Sequence, residues 1–309
     1  MEQLRVGVVG VGHHGRHHAR IYREVPGIVL AAVADTDAEA LRKAEEEWGV
    51  ACFGDYREIV GLVDAVSIAT PTGSHHGIAK HFLSCGKDVF LEKPMAASVE
   101  EAEELIRLAD ENNRVLQIGH VERFNPAIKA LTGLLTDPRF IECHRLSQYK
   151  ARGCDVGVVL DLMIHDIDII LTLVGDRVKS ISAVGVSVLS ESEDIANARI
   201  EFERGCIANL TASRVSFDSM RKIRIFQRDA YISLDYEKQE GMVYRRVGAE
   251  IVRAPVPTEK ASPLKLELES FIHSIRTSSR PLVSAEQGKR AIEIAMEIVR
   301  EIQARNAAA

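Results

Sequence analysis

The sequence has no apolar run of the length a membrane-spanning helix needs, so no membrane association is expected. It has no basic tract, and its 39 lysines and arginines stand against 45 acidic residues, a formal net charge of −6. Nucleic acid is therefore not an expected partner. The five cysteines, at positions 52, 85, 143, 154 and 206, are odd in number, far apart and never in a C-x-x-C pair. They read as reduced thiols of a cytoplasmic protein. The chain runs straight into its first strand, which leaves no room for a signal peptide. Internal repeats and low-complexity segments are absent as well, and only the short 307–309 tail looks disordered. What is present is an ordinary globular composition, 46% hydrophobic and 27% charged over 309 residues, enough for two domains or one large one.

The chain is organised around its first strand and the turn after it. An apolar run, residues 4–9, leads into Gly10-Val11-Gly12-His13-His14-Gly15. The spacing is G-x-G-x-x-G. Gly10 allows the tight turn, Gly12 lets the backbone approach a pyrophosphate, and Gly15 lets the next helix pack close to the strand. That helix, expected over 14–25, points its N-terminal amides at the phosphates. A lone glycine motif is weak, because glycines punctuate many loops. Here a second strand over 28–34 ends in Asp35, placed to bind ribose hydroxyls, with Thr36 beside it and no arginine to receive a 2′-phosphate. The pattern predicts NAD rather than NADP as the cofactor.

The first third goes on alternating strand and helix. Asp37 is expected to cap a helix to Trp48, and short strands are expected over 50–53, 64–69, 88–91 and 114–120. Helices are expected near 55–60, up to Cys85, and from a Ser98 cap, with Glu101 as capping-box partner, to about Asn112. After His120 the texture changes to a bridging helix over 126–135 and strand-like runs over 141–149, 178–189, 196–203, 206–215, 222–227, 231–236, 242–246 and 250–254. One long helix over 159–174 interrupts these runs, and two helices, 264–277 and 284–305, close the chain. The expected fold is α/β: an N-terminal doubly wound parallel sheet of Rossmann type, 1–121, and an α+β domain, 122–309, with a large, mostly antiparallel open sheet. An open sheet face needs cover, and a second copy of the chain is the natural one, which predicts a homodimer or homotetramer built through the C-terminal sheet.

The long helix carries the most telling pattern. Leu160, Ile164, Ile167, Leu171 and Val174 share one face at helical spacing, and Asp161, His165 and Asp168 share another. The helix is apolar almost all round and should be buried. Two carboxylates and an imidazole are costly to bury unless paired, so the stripe reads as functional, with a structural Asp–His pair as the alternative. Lys93 is the second piece. It follows the C-terminal end of a parallel strand, where open α/β sheets place ligands, with Pro94 to stiffen the turn and Glu92 to hold the ammonium. His13, His14, His17 and His18 lie in the turn and first helix, with no nearby Cys or acid to complete a metal site. They read as cofactor contacts or plain surface, and no metal is expected. His75 and His76 are expected to border the cofactor, and Trp48 is read as helix packing.

Four stretches together resemble the Gfo/Idh/MocA family of nicotinamide-dependent sugar and polyol oxidoreductases: Gly10 to Gly15, Thr70-Pro71-Thr72-Gly73-Ser74-His75, Glu92-Lys93-Pro94 and Asp161-Leu162-Met163-Ile164-His165. The resemblance covers nearly the whole chain. It implies a Rossmann domain followed by an α/β domain whose sheet face makes oligomer contacts, and it makes Val11, His13, His14, Thr36, Thr70, Pro71, His75, Glu92 and Lys93 cofactor contacts alongside the glycines and Asp35. The stretches 120–126 and 159–168 are similar to those of one subgroup, nucleotide-sugar 3-dehydrogenases. That similarity implies oxidation of the 3-hydroxyl of UDP-N-acetylglucosamine or its uronate, ahead of a transaminase, as in lipid A synthesis. On this reading His165 is the general base, Lys93 hydrogen-bonds the reacting oxygen, and Asp161 fixes the imidazole. Asn125, Tyr149, Lys150 and Arg152 are further candidates for substrate contact. The rivals are an inositol or free-hexose dehydrogenase of the same fold, and a nicotinamide-binding regulator without turnover.

Overall fold

Six apolar runs in the first 120 residues form a parallel sheet: β1 (Leu4–Val9), β2 (Ile28–Ala34), β3 (Ala51–Phe53), β4 (Ala65–Ile68), β5 (Asp88–Glu92) and β6 (Leu116–Gly119). The structure, a computed structural model, describes residues 3–149 and 156–308, and all counts refer to these. The strand order is β3-β2-β1-β4-β5-β6, with every neighbouring pair parallel. This is the doubly wound order, whose reversal between β1 and β4 opens a crevice at the carboxyl ends of those strands. Val6, Val8, Val66, Val89 and Phe90 have no exposed surface. Burial on both faces is why these strands read as continuous apolar runs.

Four helices link the strands: α1 (His13–Glu24), α2 (Ala38–Trp48), α3 (Thr72–Ser84) and α4 (Val99–Glu111). Asp37 caps α2, accepting from the amides of Glu39 and Ala40. Ser98 accepts from the Glu101 amide, while Glu101 reaches back to the amide of Ala97, one residue before the cap. By contrast α1 has Gly12 at its start and no side-chain cap. The chain returns to this unit near its end, where Leu268, Phe271 and Ile272 join the core formed by Val6, Tyr22, Val33 and Phe90. Gln117 Nε2 donates to the Glu267 carbonyl at 3.0 Å. The two compact units are accordingly Met1–Val121 with Leu264–Lys289, and Glu122–Pro263 with Arg290–Ala309. This corrects the expected continuous second domain over 122–309, since residues 264–289 carry an apolar stripe that belongs to the first core.

The second unit contains α5 (Pro126–Leu131), α6 (Ile164–Val174) and eight strands. These are β7 (Pro138–Leu146), β8 (Val178–Val186), β9 (Ile195–Phe202), β10 (Ile207–Ser213), β11 (Met220–Gln227), β12 (Ala230–Asp235), β13 (Glu240–Val247) and β14 (Glu250–Pro255). Their order is β14-β13-β12-β11-β7-β10-β9-β8, antiparallel except for the β7–β10 pair. The inner face is apolar, with Ile141, Cys143, Ile200, Leu210, Ile223 and Ile232 buried. Asn197, Arg199 and Arg224 alternate with these and stay exposed, as the period of two requires. The alternation did not announce a line of four aromatic rings on the outer face, across β7, β11, β12 and β13. Phe140, Phe226, Tyr231 and Tyr244 have successive ring centroids 5.7, 4.8 and 5.3 Å apart. The closing helices are α7 (Pro263–Thr277) and α8 (Ala285–Ala308). Among the described residues no helix is long and apolar enough to cross a membrane.

Two glycines of the first turn make opposite demands on space. A Cβ at Gly15 would overlap the Gly10 carbonyl oxygen, whereas a Cβ at Gly12 would meet nothing within 4 Å. Gly15→Ala is expected to destabilise the protein by about 3 kcal/mol or more, and Gly12→Ala by under about 1 kcal/mol. Urea unfolding of the two variants beside the parent measures both, and equal midpoints would refute the packing account.

Candidate functional site

In the first unit the residues predicted to hold the cofactor converge on the carboxyl ends of β1, β2, β4 and β5. Gly10 takes φ +84, and a Cβ there would stand 2.8 Å from the Ala69 carbonyl oxygen just past β4. The turn therefore lies hard against β4, and only glycine fits. Asp35 does more than border the turn. Its Oδ2 accepts from the Val11 amide at 2.7 Å and its Oδ1 from the Asp37 amide at 2.9 Å, so the carboxylate is fixed at the end of β2. Thr36 beside it is exposed. A helix start without a side-chain cap, open backbone at Gly12 and a fixed carboxylate on β2 are what a dinucleotide requires.

Thr70, Pro71 and Lys93 follow the ends of β4 and β5. Ser74 Oγ donates to the Pro71 carbonyl at 2.8 Å and lies 2.8 Å from Thr70 Oγ1. The Lys93–Pro94 peptide is cis. Two histidine readings are corrected. His75 is buried rather than facing a ligand, its Nδ1 lying 2.7 Å from the Pro94 carbonyl oxygen and its Nε2 2.8 Å from that of Thr70. It ties the two turns together, and burial lowers its pKa despite these bonds. His18 is not surface at all. It has no exposed area, its Nδ1 is 2.7 Å from Ser67 Oγ, and its Nε2 is 3.1 Å from Glu92 Oε1. The signal for it was present: positions 15, 18, 19 and 22 share the face of α1 that packs on the sheet.

In the second unit the helix expected over 159–174 begins as a π turn, Val159–Met163, and becomes α-helical at Ile164. Asp161 and His165 thus flank a change of winding, a feature common at functional sites. Both are partly exposed. The expected stripe of Asp161, His165 and Asp168 is corrected at its third member, because Asp168 is buried and paired with Arg123 at 3.2 Å. The carboxylate that sequence reasoning missed is Asp166. Arg145 Nε and Nη2 donate to its two oxygens at 2.9 and 3.1 Å, and the Tyr236 hydroxyl lies 2.5 Å from Oδ1. Arg145 Nη1 also reaches Glu122 Oε1 at 3.2 Å. Arg145 sits on the inner face of β7 after Ile141 and Cys143, and an arginine at an apolar position demands an acid partner.

Asn125, expected to contact substrate, is corrected as well. It is buried, its Oδ1 accepts from the Ala127 amide to cap α5, and its Nδ2 donates to Glu122 Oε2 and the Tyr236 carbonyl. Tyr149 is 41% exposed, past the end of β7. Lys150 and Arg152 lie outside the described residues. The π turn is clamped from the β8–β9 loop, where the Glu193 carbonyl accepts from the Val158 amide at 3.0 Å. In the same loop Asp194 accepts from Arg214 Nε at 2.8 Å and from the amides of Val188, Leu189 and Ser190. Burial alone would raise the Asp194 pKa, but these donors hold it well below the usual carboxylate range. Cys52, Cys85, Cys143 and Cys206 are free thiols. Among the described residues no group of three or more His, Cys, Asp or Glu is arranged to hold a metal.

Comparison with known proteins matches residues 4–120 to the oxidoreductase family with an NAD-binding Rossmann fold, and residues 129–233 to the GFO/IDH/MocA C-terminal domain. The chain is 35% identical to UDP-N-acetylglucosamine 3-dehydrogenase of Acidithiobacillus ferrooxidans over 96% of its length and 97% of that protein's. A crystal form of that enzyme superposes with a TM-score of 0.93 at 36% identity, covering 98% of this chain and 99% of the other. The myo-inositol 2-dehydrogenase of Thermotoga maritima is 26% identical over 94% and 93% of the two chains. Levoglucosan dehydrogenase in complex with NADH, at 21% identity and a TM-score of 0.88 over 98% and 97%, shares the fold.

Arg145 is the one cation bonded to both Asp166 and Glu122 in the interior of the second unit. Arg145→Met would take from buried Asp166 its ion-pair partner and leave Glu122 with the longer contact to Arg221 at 3.7 Å, and is expected to cost about 3–5 kcal/mol. Denaturant unfolding followed by tryptophan-independent far-UV dichroism measures this, and a loss below about 1 kcal/mol would mean that the network contributes little.

Proposed function

The chain belongs to the Gfo/Idh/MocA oxidoreductase family, and we propose that it oxidises the 3-hydroxyl of a UDP-N-acetylglucosamine-type nucleotide sugar to the 3-keto sugar, with NAD. The observation that carries this reading is the 35% identity with an enzyme of that name, across nearly the full length of both chains. The inositol dehydrogenases are more distant, at 23% to 29%. The turn at Gly10–Gly15 and the start of α1 hold the pyrophosphate, and Asp35 takes the ribose hydroxyls, so NAD is preferred over NADP. When bound, the nicotinamide takes up the hydrogen and electron pair from the carbon that carries the hydroxyl. His165 removes the hydroxyl proton, Asp161 orients its ring, and Lys93 offers its ammonium to the oxygen as alkoxide charge develops. The free thiols accord with work in the cytoplasm.

The reading is tested with a panel of nucleotide sugars, free hexoses and inositols, following reduced nicotinamide by absorbance. Fastest turnover is expected with UDP-N-acetylglucosamine or its uronate and NAD. Faster turnover of an inositol or hexose, or equal affinity for NADP, would overturn it. Lys93→Ala and His165→Ala should each lower turnover about 10²–10⁴-fold while NAD binding by calorimetry holds.

We also propose that a second copy of the chain covers the outer sheet face of the second unit. Four aromatic rings in line, beside the Arg199–Glu201 and Arg224–Glu142 ion pairs, resemble the apolar centre and charged rim of an interface. Sedimentation at micromolar protein should give a dimer or tetramer mass, and Tyr231→Glu should lower it. A monomer mass for the parent protein would refute the proposal.

A further inference from the structure

Lys93 is flanked by a chain of buried polar groups that neither nucleotide binding nor sugar recognition uses. His18 stands between Ser67 and Glu92, 2.7 Å from the hydroxyl and 3.1 Å from the carboxylate. Phe90 meets the imidazole edge-on at 5.3 Å, and His18 and Ser67 have no exposed surface. The carboxylate itself is confined, because a Cβ at Gly119 would stand 2.9 Å from Glu92 Oε2. The same Oε2 accepts from the Lys93 amide at 3.3 Å. The other titratable groups in the field of Glu92 are His14 and Tyr22 of α1, His75 of α3, and the Lys93 ammonium. Burial alone would drive Glu92 towards its neutral form. His18 first, then His14 and Lys93, outweigh that and hold the carboxyl below its usual range.

We propose that His18 is a positioning residue for Lys93: by holding Glu92 as a carboxylate next to the lysine in the chain, it sets a negative charge in the field of the ammonium that meets the oxygen of the alcohol. The proposal rests on the dehydrogenase reading for what the charge is used for. The buried arrangement itself needs only an N–H of the side chain at position 18 facing the carboxylate. An imidazole suits the place because one nitrogen is taken by Ser67, which fixes the ring, and the other is left to face the carboxylate.

The test reads Lys93 without substrate. The full-length protein is reductively methylated with ¹³C-formaldehyde, the Lys93 resonance is assigned with Lys93→Arg, and its titration is followed by NMR. His18→Asn can still bond Ser67 but falls short of Glu92, whereas His18→Gln reaches it. Glu92→Gln removes the charge in a side chain of the same shape and serves if His18→Asn does not fold. The Lys93 pKa is expected to fall by about one unit or more in His18→Asn and Glu92→Gln, and to stay with the parent value in His18→Gln. A titration unmoved in either of the first two variants overturns the proposal, whether or not UDP-N-acetylglucosamine proves to be the substrate. With the substrate in hand, kcat should fall in His18→Asn while the KM for NAD holds, a split that general loosening of the fold would not give.

Discussion

A charge taken out of water must meet its opposite, and in this protein that requirement ties α6 to the sheet of the second unit. Arg145 lies on the inner face of a sheet strand, 4% exposed, in phase with buried Ile141 and Cys143. It is tolerable there only because Asp166 meets it with both oxygens and Glu122 takes a further N–H. Three segments far apart in sequence are thereby locked together: the turn after β6, the strand β7 and the helix α6. Exchanging such a network for apolar side chains often costs nothing in stability, so its value lies in direction rather than in energy. An apolar α6 is free to rotate or slide by a residue on the sheet. An α6 carrying Asp166 against Arg145 and Tyr236 is not.

The same device recurs in the first unit. Lys93 follows Glu92 in the chain, and His165 precedes Asp166. In each case a residue assigned to chemistry has a buried or half-buried carboxylate as its neighbour, held from within by a cation or an imidazole. Adjacent residues on a strand end or a helix point in different directions. One can therefore be anchored in the interior while the next stays accessible. The anchor fixes the backbone from which the reactive side chain springs, and the geometry needed for proton transfer tolerates little drift.

What could be read from the sequence follows the range of the interactions involved. The glycine turn, Asp35, the Asp37 and Ser98 caps and the doubly wound order were legible because each depends on residues a few positions apart or on the period of apolar runs. The expected Asp161–His165–Asp168 stripe failed at Asp168 because periodicity assigns a face but not a partner, and Arg123, 45 residues away, claims that side chain. Asn125 looked like a ligand contact but caps α5 and bonds the backbone of Tyr236, 111 positions on. His18 was passed over among four histidines because its partner Ser67 lies 49 residues off, on strand β4. Polar residues that serve the interior look in sequence just like polar residues that serve a ligand.

That confusion bears on how family motifs should be understood. The stretch His120 to Pro126 marks the nucleotide-sugar subgroup by resemblance, yet the side chains that stand out in it, Glu122, Arg123 and Asn125, are spent on Arg145, Asp168 and the start of α5. The stretch therefore spends those three side chains on the interior. It sets where α6 and its π turn lie, and through them the placement of Asp161 and His165. A motif can thus report a substrate class without touching the substrate, if one class requires one setting of the helix that carries the base. On this argument the buried salt bridges of the second unit set the frame that presents Asp161 and His165.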